Sequence, residues 1–243
     1  AIKHGVKIYD NCRVINISVD NGSVSGVSTE SGDIKCDVLV NCAGMWAREI
    51  GLMAGVSIPL QAADHAYFVT EPIPGTPGDL PSLRDPDGYI YLRRYPHEGG
   101  GILVGGFEPQ AVPWGLDGIP DDFSLHMLNR EWSHYNIFID KAMDRVPTIA
   151  DVGVKMRLVG PESFTPDTRY IMGESSELLN FFVAAGFNYS GVASAAGCGK
   201  AMAEWISTGE MTVDLSEMDI RRFQNWANND TYLKDRTVEA LGL

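Results

Sequence analysis

The sequence predicts an α/β fold in which a nucleotide-type α/β domain is interrupted by a mainly antiparallel, β-rich insert. Three observations carry this. A strand–turn–helix pattern occupies residues 37–54, a second occupies residues 181–207, and between them lies a block of longer strand-like runs with one helical stretch. Two α/β pieces flanking a β-rich block are the pattern of one domain divided by another. In open α/β sheets, ligands gather at the carboxyl ends of strands. Here those ends are Cys42-Ala43-Gly44 and Ala185-Gly186.

The second pattern is the more informative. An apolar strand, Phe181 to Ala185, ends at Gly186, and a helix opens directly from the turn. The first two turns of that helix, from Gly191 through Gly197, are almost all small residues. Such a helix can lie very close to a sheet or a flat ligand. Its free N–H groups and the positive end of its dipole point into the turn, which suits a phosphate or a reduced flavin ring. A tight helix–strand contact calls for the same small residues.

The remaining elements follow in order. Val14, Ile15, Ile17 and Val19 mark a strand, Asn21-Gly22 a hairpin turn, and Val24, Val27 and Thr29 the return strand. After a turn at Ser31-Gly32, residues 37–42 read as a short buried strand. Ala43-Gly44 breaks it, and a helix follows from Trp46 to Ala54, with Ile50 and Met53 on one face. His65–Thr70, Gly88–Arg93 and Gly101–Gly105 read as strands around a Pro/Gly-rich loop at 72–81. Asp121 to Met143 has helix character, with Asp121-Asp122 as cap and dipole partner. Val154–Val159 reads as a strand, Pro161–Asp167 as a loop, and Ile220–Leu243 as one or two surface helices.

With 243 residues, 44% hydrophobic and 21% charged, the chain has ample material for a core. A net charge of −13 argues against nucleic acid and anionic membranes as partners. No apolar run approaches the roughly 20 residues of a membrane-spanning helix. Cys12, Cys36, Cys42 and Cys198 form no C-x-x-C pair, so no zinc cage or dithiol motif is indicated. The first three sit in apolar runs and are expected to be buried free thiols, which fits a reducing compartment. The chain opens without Met, at Ala1, and reads as a piece of a longer protein.

His65 stands two residues before Tyr67, so both point to one face of a strand. A histidine can take a proton from an ammonium group or hold a carboxylate; a hydrogen-bonded structural histidine is the plainer alternative. Tyr91 and Arg93 share a strand face in the same way. Arg93 can clamp a carboxylate through two parallel hydrogen bonds, or serve a structural ion pair. The other histidines show no metal spacing, and His126 and His134 are expected to be solvated on the central helix. The same expectation holds for Asp85/Asp87 and Asp121/Asp122, and no metal ligands are assigned. Trp46, Trp132, Trp205 and Trp226 are read as packing residues.

At this point specific blocks come together. Asn41-Cys42-Ala43-Gly44-Met45-Trp46 is similar to a motif of D-amino-acid-oxidase-like flavoproteins. His65-Ala66-Tyr67-Phe68, Tyr91-Leu92-Arg93, Gly105-Gly106-Phe107-Glu108, the run from Gly160 to Asp167 and Gly186-Phe187-Asn188 resemble the sarcosine and dimethylglycine dehydrogenases. The same blocks resemble the pyruvate dehydrogenase phosphatase regulatory subunit, as does the ending from Arg222 to Val238. The resemblance implies part of a Rossmann-like FAD-binding domain interrupted by a substrate domain. It divides the chain into residues 1–56 (second part of the FAD domain), 57–160 (substrate domain), 161–210 (return to the FAD domain) and 211–243 (helical extension).

The resemblance further implies FAD contacts from Val14, Ala43, Gly44, Trp46, Gly186, Phe187, Asn188, Ser190 and Gly191. It implies catalytic roles for His65 and Tyr91, and substrate binding by Tyr67 and Arg93. The activity it implies is oxidation of the C–N bond of an N-methylated glycine by hydride transfer to flavin; a non-catalytic regulatory flavoprotein is the alternative. The electron acceptor stays open between electron-transfer flavoprotein and oxygen. The resemblance also implies tetrahydrofolate as a candidate partner, through the C-terminal domains that the dehydrogenases carry. The location implied is the mitochondrial matrix in a eukaryote and the cytoplasm otherwise. The family's G-x-G-x-x-G is not found here: Gly99-Gly100-Gly101 and Gly197-Cys198-Gly199 lack its spacing and context. The chain is therefore read as the middle piece of a larger enzyme, poorly able to bind FAD alone. The two bends at Ala43-Gly44 and Gly186–Gly191 are expected to meet around an isoalloxazine, against a pocket built by the β block.

Overall fold

The computed structural model describes residues 1–97, 100–124 and 126–242. Gly99 of the glycine run, Leu125 of the expected central helix and Leu243 of the C-terminal stretch lie outside the described residues. In chain order the first elements are β1 (Val14–Asp20), β2 (Ser23–Thr29), β3 (Gly32–Lys35), β4 (Leu39–Asn41) and α1 (Ala47–Met53). Then come β5 (Gln61–Thr70), β6 (Leu83–Asp85), β7 (Ile90–Arg94), β8 (Ile102–Gly106), β9 (Pro113–Trp114) and α2 (Asn136–Arg145). The chain closes with β10 (Val154–Phe164), β11 (Ile171–Glu174), β12 (Phe181–Ala185), α3 (Gly191–Thr208) and α4 (Asp230–Ala240). Two compact units result, residues 1–59 with 169–229 and residues 60–168 with 230–243.

The first unit holds two three-stranded sheets. β1, β2 and β3 are antiparallel, and Asn21 and Gly22 make the hairpin turn at positive φ. In the other sheet β12 lies between β11, antiparallel, and β4, parallel. Leu39–Asn41 pairs with Phe181–Val183, so two segments some 140 positions apart run side by side. The two sheets are tied by Val24 N–H donating to Leu179 O (3.1 Å) and Leu179 N–H donating to Gly22 O (3.1 Å). Under α3, Met202 and Trp205 pack on Met172 of β11 and Phe182 of β12.

α1 buries Ala47 and Gly51, while Ile50 is half-buried and Met53 is exposed. The small pair wins because the helix lies tight on the chain that follows. A Cβ on Gly51 would stand 2.8 Å from Val56 O.

The second unit is built on one antiparallel sheet in the order β10-β5-β8-β7-β6, with β9 also paired to β5. Alternation along each strand divides its side chains between two faces. Ala66, Phe68, Ile90, Leu92, Ile102, Val104 and Val159 form a core with Phe138 and Ala142 of α2. The opposite face carries His65, Tyr67, Tyr91 and Arg93. A second cluster joins Ala63, Ala111 and Phe164 to Ala240 and Leu241.

Three expectations change here. The central helix starts only at Asn136, after a 3₁₀ turn at Trp132–Tyr135. Long-range bonds hold the preceding stretch in place. Leu128 N–H donates to Val159 O (2.7 Å), and Arg130 pairs with the buried Asp64. Pro161–Phe164 continues β10 instead of forming a loop, because Gln61–Asp64 of β5 supplies the pairing. β10 lies at the sheet edge, where proline is tolerated. The C-terminal stretch does not form one surface extension. Residues 211–229 belong to the first unit and 230–243 to the second, where Leu233, Thr237 and Ala240 of α4 are buried.

Candidate active site

In the first unit, β4 and β12 run parallel and release the chain at the same sheet end. Each release is shaped locally. After β4, the buried Asn41 side chain donates to Ala47 O (2.9 Å) and accepts from Ala43 N–H (3.2 Å), which bends the chain through Ala43-Gly44 into α1. After β12, Gly186 takes φ 61° and Asn188 φ 51°, and Asn188 Nδ2 donates to Gly186 O (3.0 Å). A 3₁₀ turn, Asn188–Ser190, then leads into α3. Tyr170 anchors the helix start, with its ring 4.8 Å from that of Phe187 and its hydroxyl 2.5 Å from Ser194 Oγ.

The two bends share a cavity of about 490 Å³. Gly44, Phe187 and Gly191 line it from the predicted set, with Val40 and Cys42 from β4 and its end. The far wall is one face of α3: Ala195, Cys198, Gly199, Met202, Ala203 and Ile206. The residues present fit a flavin on three counts. The volume lies in the range of small-molecule sites. The walls are apolar and low, and a Cβ on Gly44 or Gly199 would meet nothing within 4 Å. The N-cap residue of α3, Ser190, makes no side-chain capping hydrogen bond, which leaves the N–H groups and dipole of the first turn suited to a ligand that carries negative charge. Partial burial pushes the Cys198 thiol above its ordinary pKa, so it stays neutral beside these walls.

Ala43, Trp46, Gly186, Asn188 and Ser190 frame the bends without lining the cavity. Val14 opens β1 in the other three-stranded sheet. The α3 wall residues beyond Gly191 were missed as individual contacts. Their spacing of three and four along one helical face was the available signal. The cysteines are all free, but Cys42 is exposed and Cys12 and Cys36 are half-buried, because all three fall outside the strands, before β1 or just past the ends of β3 and β4.

In the second unit the four predicted residues are brought together by register. Tyr67 and Tyr91 both pair with Gly105, and Arg93 pairs with Leu103, which in turn opposes Val69. The rings of His65, Tyr91 and Phe107 form a cluster with centroid separations of 6.4, 5.7 and 5.6 Å. The Arg84 guanidinium stacks on Phe107 at 4.2 Å. His65 Nδ1 lies 2.6 Å from Glu162 Oε2, while its Nε2 is buried and makes no hydrogen bond among the described residues. Burial first, then the Glu162 charge, pushes the Tyr91 hydroxyl up to about 12, with Arg93 opposing. Tyr91 is therefore a phenol, a donor, at neutral pH. Arg93 is exposed on this face.

Glu162 was missed because Pro161 disguised the strand that carries it. Three further expectations are corrected. His134 is largely buried, 3.3 Å from the buried Glu108, and is not solvated. Asp85 is buried and held by Arg145 at 2.5 Å. Trp132 and Trp226 are exposed and do not pack in a core. Among the described residues no group of three or more His, Cys, Asp or Glu is placed to hold a metal ion, and no helix is long and apolar enough to cross a membrane.

A flavin-sized apolar cavity at two strand ends and a separate sheet face of His, Tyr and Arg define a flavoprotein of the D-amino-acid-oxidase-like α/β class. The chain belongs to the FAD dependent oxidoreductase family, whose model matches residues 1–205; the central-domain model of FAD dependent oxidoreductases matches residues 208–243. FAD is the family's cofactor. The chain is 41% identical over 98% of its length to 4-methylaminobutanoate oxidase (formaldehyde-forming) from Paenarthrobacter nicotinovorans, of which this covers 28%. It is 38% identical over 99% of its length to mouse mitochondrial sarcosine dehydrogenase (26% of that protein). It is 37% identical over its whole length to the mouse mitochondrial pyruvate dehydrogenase phosphatase regulatory subunit (28% of that protein). The chain thus spans about a quarter of the length of these relatives. Among solved structures, L-proline dehydrogenase from P. horikoshii matches with a TM-score of 0.76 at 25% identity, covering 91% of this chain and 56% of that one.

Proposed function

We propose that the protein containing this chain oxidises the C–N bond of an N-methylated glycine, sarcosine or dimethylglycine. The observation that carries this reading is the buried Nε2 of His65, without a hydrogen-bond partner among the described residues, beside Tyr91 on the sheet face that also presents Arg93. The cofactor is held by the α3 wall and by the bends at Ala43-Gly44 and Gly186–Gly191. When bound, FAD supplies the two-electron oxidant that accepts hydride from the carbon beside nitrogen.

The chain's residues prepare the amine. A protonated nitrogen has no lone pair to form an imine, so the ammonium must lose its proton first. In this reading His65 Nε2 takes it. Tyr91, held as a phenol, donates a hydrogen bond to the substrate, and Tyr67 adds a second hydroxyl on the same face. Arg93 pairs with the glycine carboxylate. The uncapped N–H groups of α3 stabilise negative charge on the reduced ring, on the scale of roughly 1–2 kcal/mol.

The similarity to the phosphatase regulatory subunit favours a second reading, a flavoprotein scaffold without oxidation. Full-length, FAD-loaded protein mixed with sarcosine or dimethylglycine under anaerobic conditions separates the two. Loss of flavin absorbance supports the enzyme. Unchanged absorbance with every secondary and tertiary amine leaves the regulatory reading ahead.

A further inference from the structure

We propose that Glu162 is a positioning residue that fixes which nitrogen of His65 carries the proton. This rests on the reading of His65 as the proton acceptor. In the β5–β10 pair, the residue opposite His65 is Gly160, which puts no side chain over the imidazole. Glu162, two positions further along β10 and on the same face, reaches diagonally across the vacant position. Its Oε2 lies 2.6 Å from His65 Nδ1. The His65 side chain is 15% exposed, and its ring is wedged between Tyr91, edge-on at 73°, and Phe107, at 38°, so it has little freedom to turn away.

A carboxylate accepts hydrogen bonds and cannot donate one. The neutral imidazole beside it must therefore carry its hydrogen on Nδ1. That leaves the lone pair on Nε2, the buried atom with no hydrogen-bond partner among the described residues. Without Glu162 the proton is free to move to Nε2, and a ring protonated there cannot accept from an ammonium. The same logic governs histidines held by a carboxylate in metal sites and catalytic triads, where loss of the outer partner typically costs about 10- to 100-fold or more.

The test uses full-length, FAD-loaded protein with ¹⁵N-labelled histidine, His65 being assigned by comparison with His65→Gln. Nitrogen shifts and two-bond couplings read the tautomer of the neutral ring directly. The wild type is expected to show Nδ1–H and an unprotonated Nε2. Glu162→Ala is expected to move the proton wholly or partly to Nε2 and to slow flavin reduction by sarcosine about 10- to 100-fold, with substrate affinity nearly unchanged. Glu162→Leu, which restores packing without an acceptor, is expected to match Glu162→Ala; recovery by leucine would show a packing role and overturn the proposal. An Nε2–H tautomer in the wild type, or an unchanged tautomer in both variants, would also overturn it. If no amine reduces the wild-type flavin while the tautomer shifts as stated, the functional reading fails and the Glu162–His65 relationship stands.

Discussion

Gly105 stands directly opposite Tyr91 in the sheet, and a Cβ on Gly105 would lie 2.0 Å from Tyr91 Cζ. The Tyr91 ring occupies the space that any other residue at 105 would need. Tyr67 flanks Gly105 from the other side. One glycine thus sets how Tyr91 lies beside His65 and Phe107.

Gly105→Ala should therefore displace the Tyr91 ring. Overpacking costs about 1–3 kcal/mol of stability, and misplacing a catalytic group by about 1 Å can cost about 100-fold in rate. Amine-driven flavin reduction should fall by at least tenfold, on that scale, while the circular dichroism spectrum stays native. Wild-type reduction rates would separate Tyr91 from the reaction.

Gly199→Leu tests the cavity. The glycine lies mid-helix, where a better helix former adds up to about 1 kcal/mol, and nothing within 4 Å opposes a new Cβ. The side chain would project into the space assigned to FAD. The thermal midpoint of the FAD-free protein should hold or rise. FAD affinity, read by flavin fluorescence quenching, should drop by about 10- to 100-fold, the equivalent of about 1–3 kcal/mol of overpacking. Unchanged affinity would remove this face of α3 from the cofactor site.

Arg93→Ala should raise the KM for sarcosine with little change in kcat. A hydrogen bond to a charged group is worth about 1.5–3 kcal/mol, or roughly 10- to 100-fold. Arg93→Lys should recover only part of this, since a point charge does not reproduce the forked contact. Steady-state kinetics on the two variants makes the comparison.

Acid stability should depend on Asp85. The Arg145 guanidinium hydrogen-bonded to it holds its carboxyl below the usual carboxylate range, helped by the N–H groups of Gly88 and Asp87. A depressed folded-state pKa contributes stability that is present above the unfolded value of about 4 and is lost as pH falls through the folded one. Asp85→Asn should lower the denaturant midpoint at neutral pH and flatten its decline in acid. An identical acid limb in wild type and variant would show that the pair contributes nothing.

At the alkaline end the sign reverses. With Tyr91 pushed up to about 12 by burial and Glu162, the folded protein keeps a proton that the unfolded chain loses near pH 10. Stability should be full below about pH 10 and decline toward about pH 12, by on the order of 2 kcal/mol. Tyr91→Phe should remove that part of the slope. Denaturant midpoints measured at about pH 9 and about pH 11 make the comparison.

Much of the first unit was legible from local pattern. The Asn21-Gly22 hairpin, the strand into Gly186 and the small-residue start of α3 are written in neighbouring residues, because turn chemistry and helix periodicity act over a few positions. β11 was not legible, because four residues with a central glycine carry little pattern until β12 pairs with them. The same limit hid the end of β10. Pro161 argues locally for a loop, and only its register against Asp64 makes it strand. Glu162 went unnoticed with it. His134 and Asp85 read as solvated because their partners, Glu108 and Arg145, lie 26 and 60 positions away.

By itself the sequence determined the family, the cofactor class, the two bends and the pairing of His65 with Tyr67 and Tyr91 with Arg93 on strand faces. These are properties of residue type and of spacings of two to four. The tertiary structure alone decided that β4 lies beside β12, so that both bends open on one cavity, and that Glu162 meets His65 Nδ1. Those relations depend on sheet register across long stretches of chain. Register is set by the summed pairing and burial of whole strands, which no short window of residues contains.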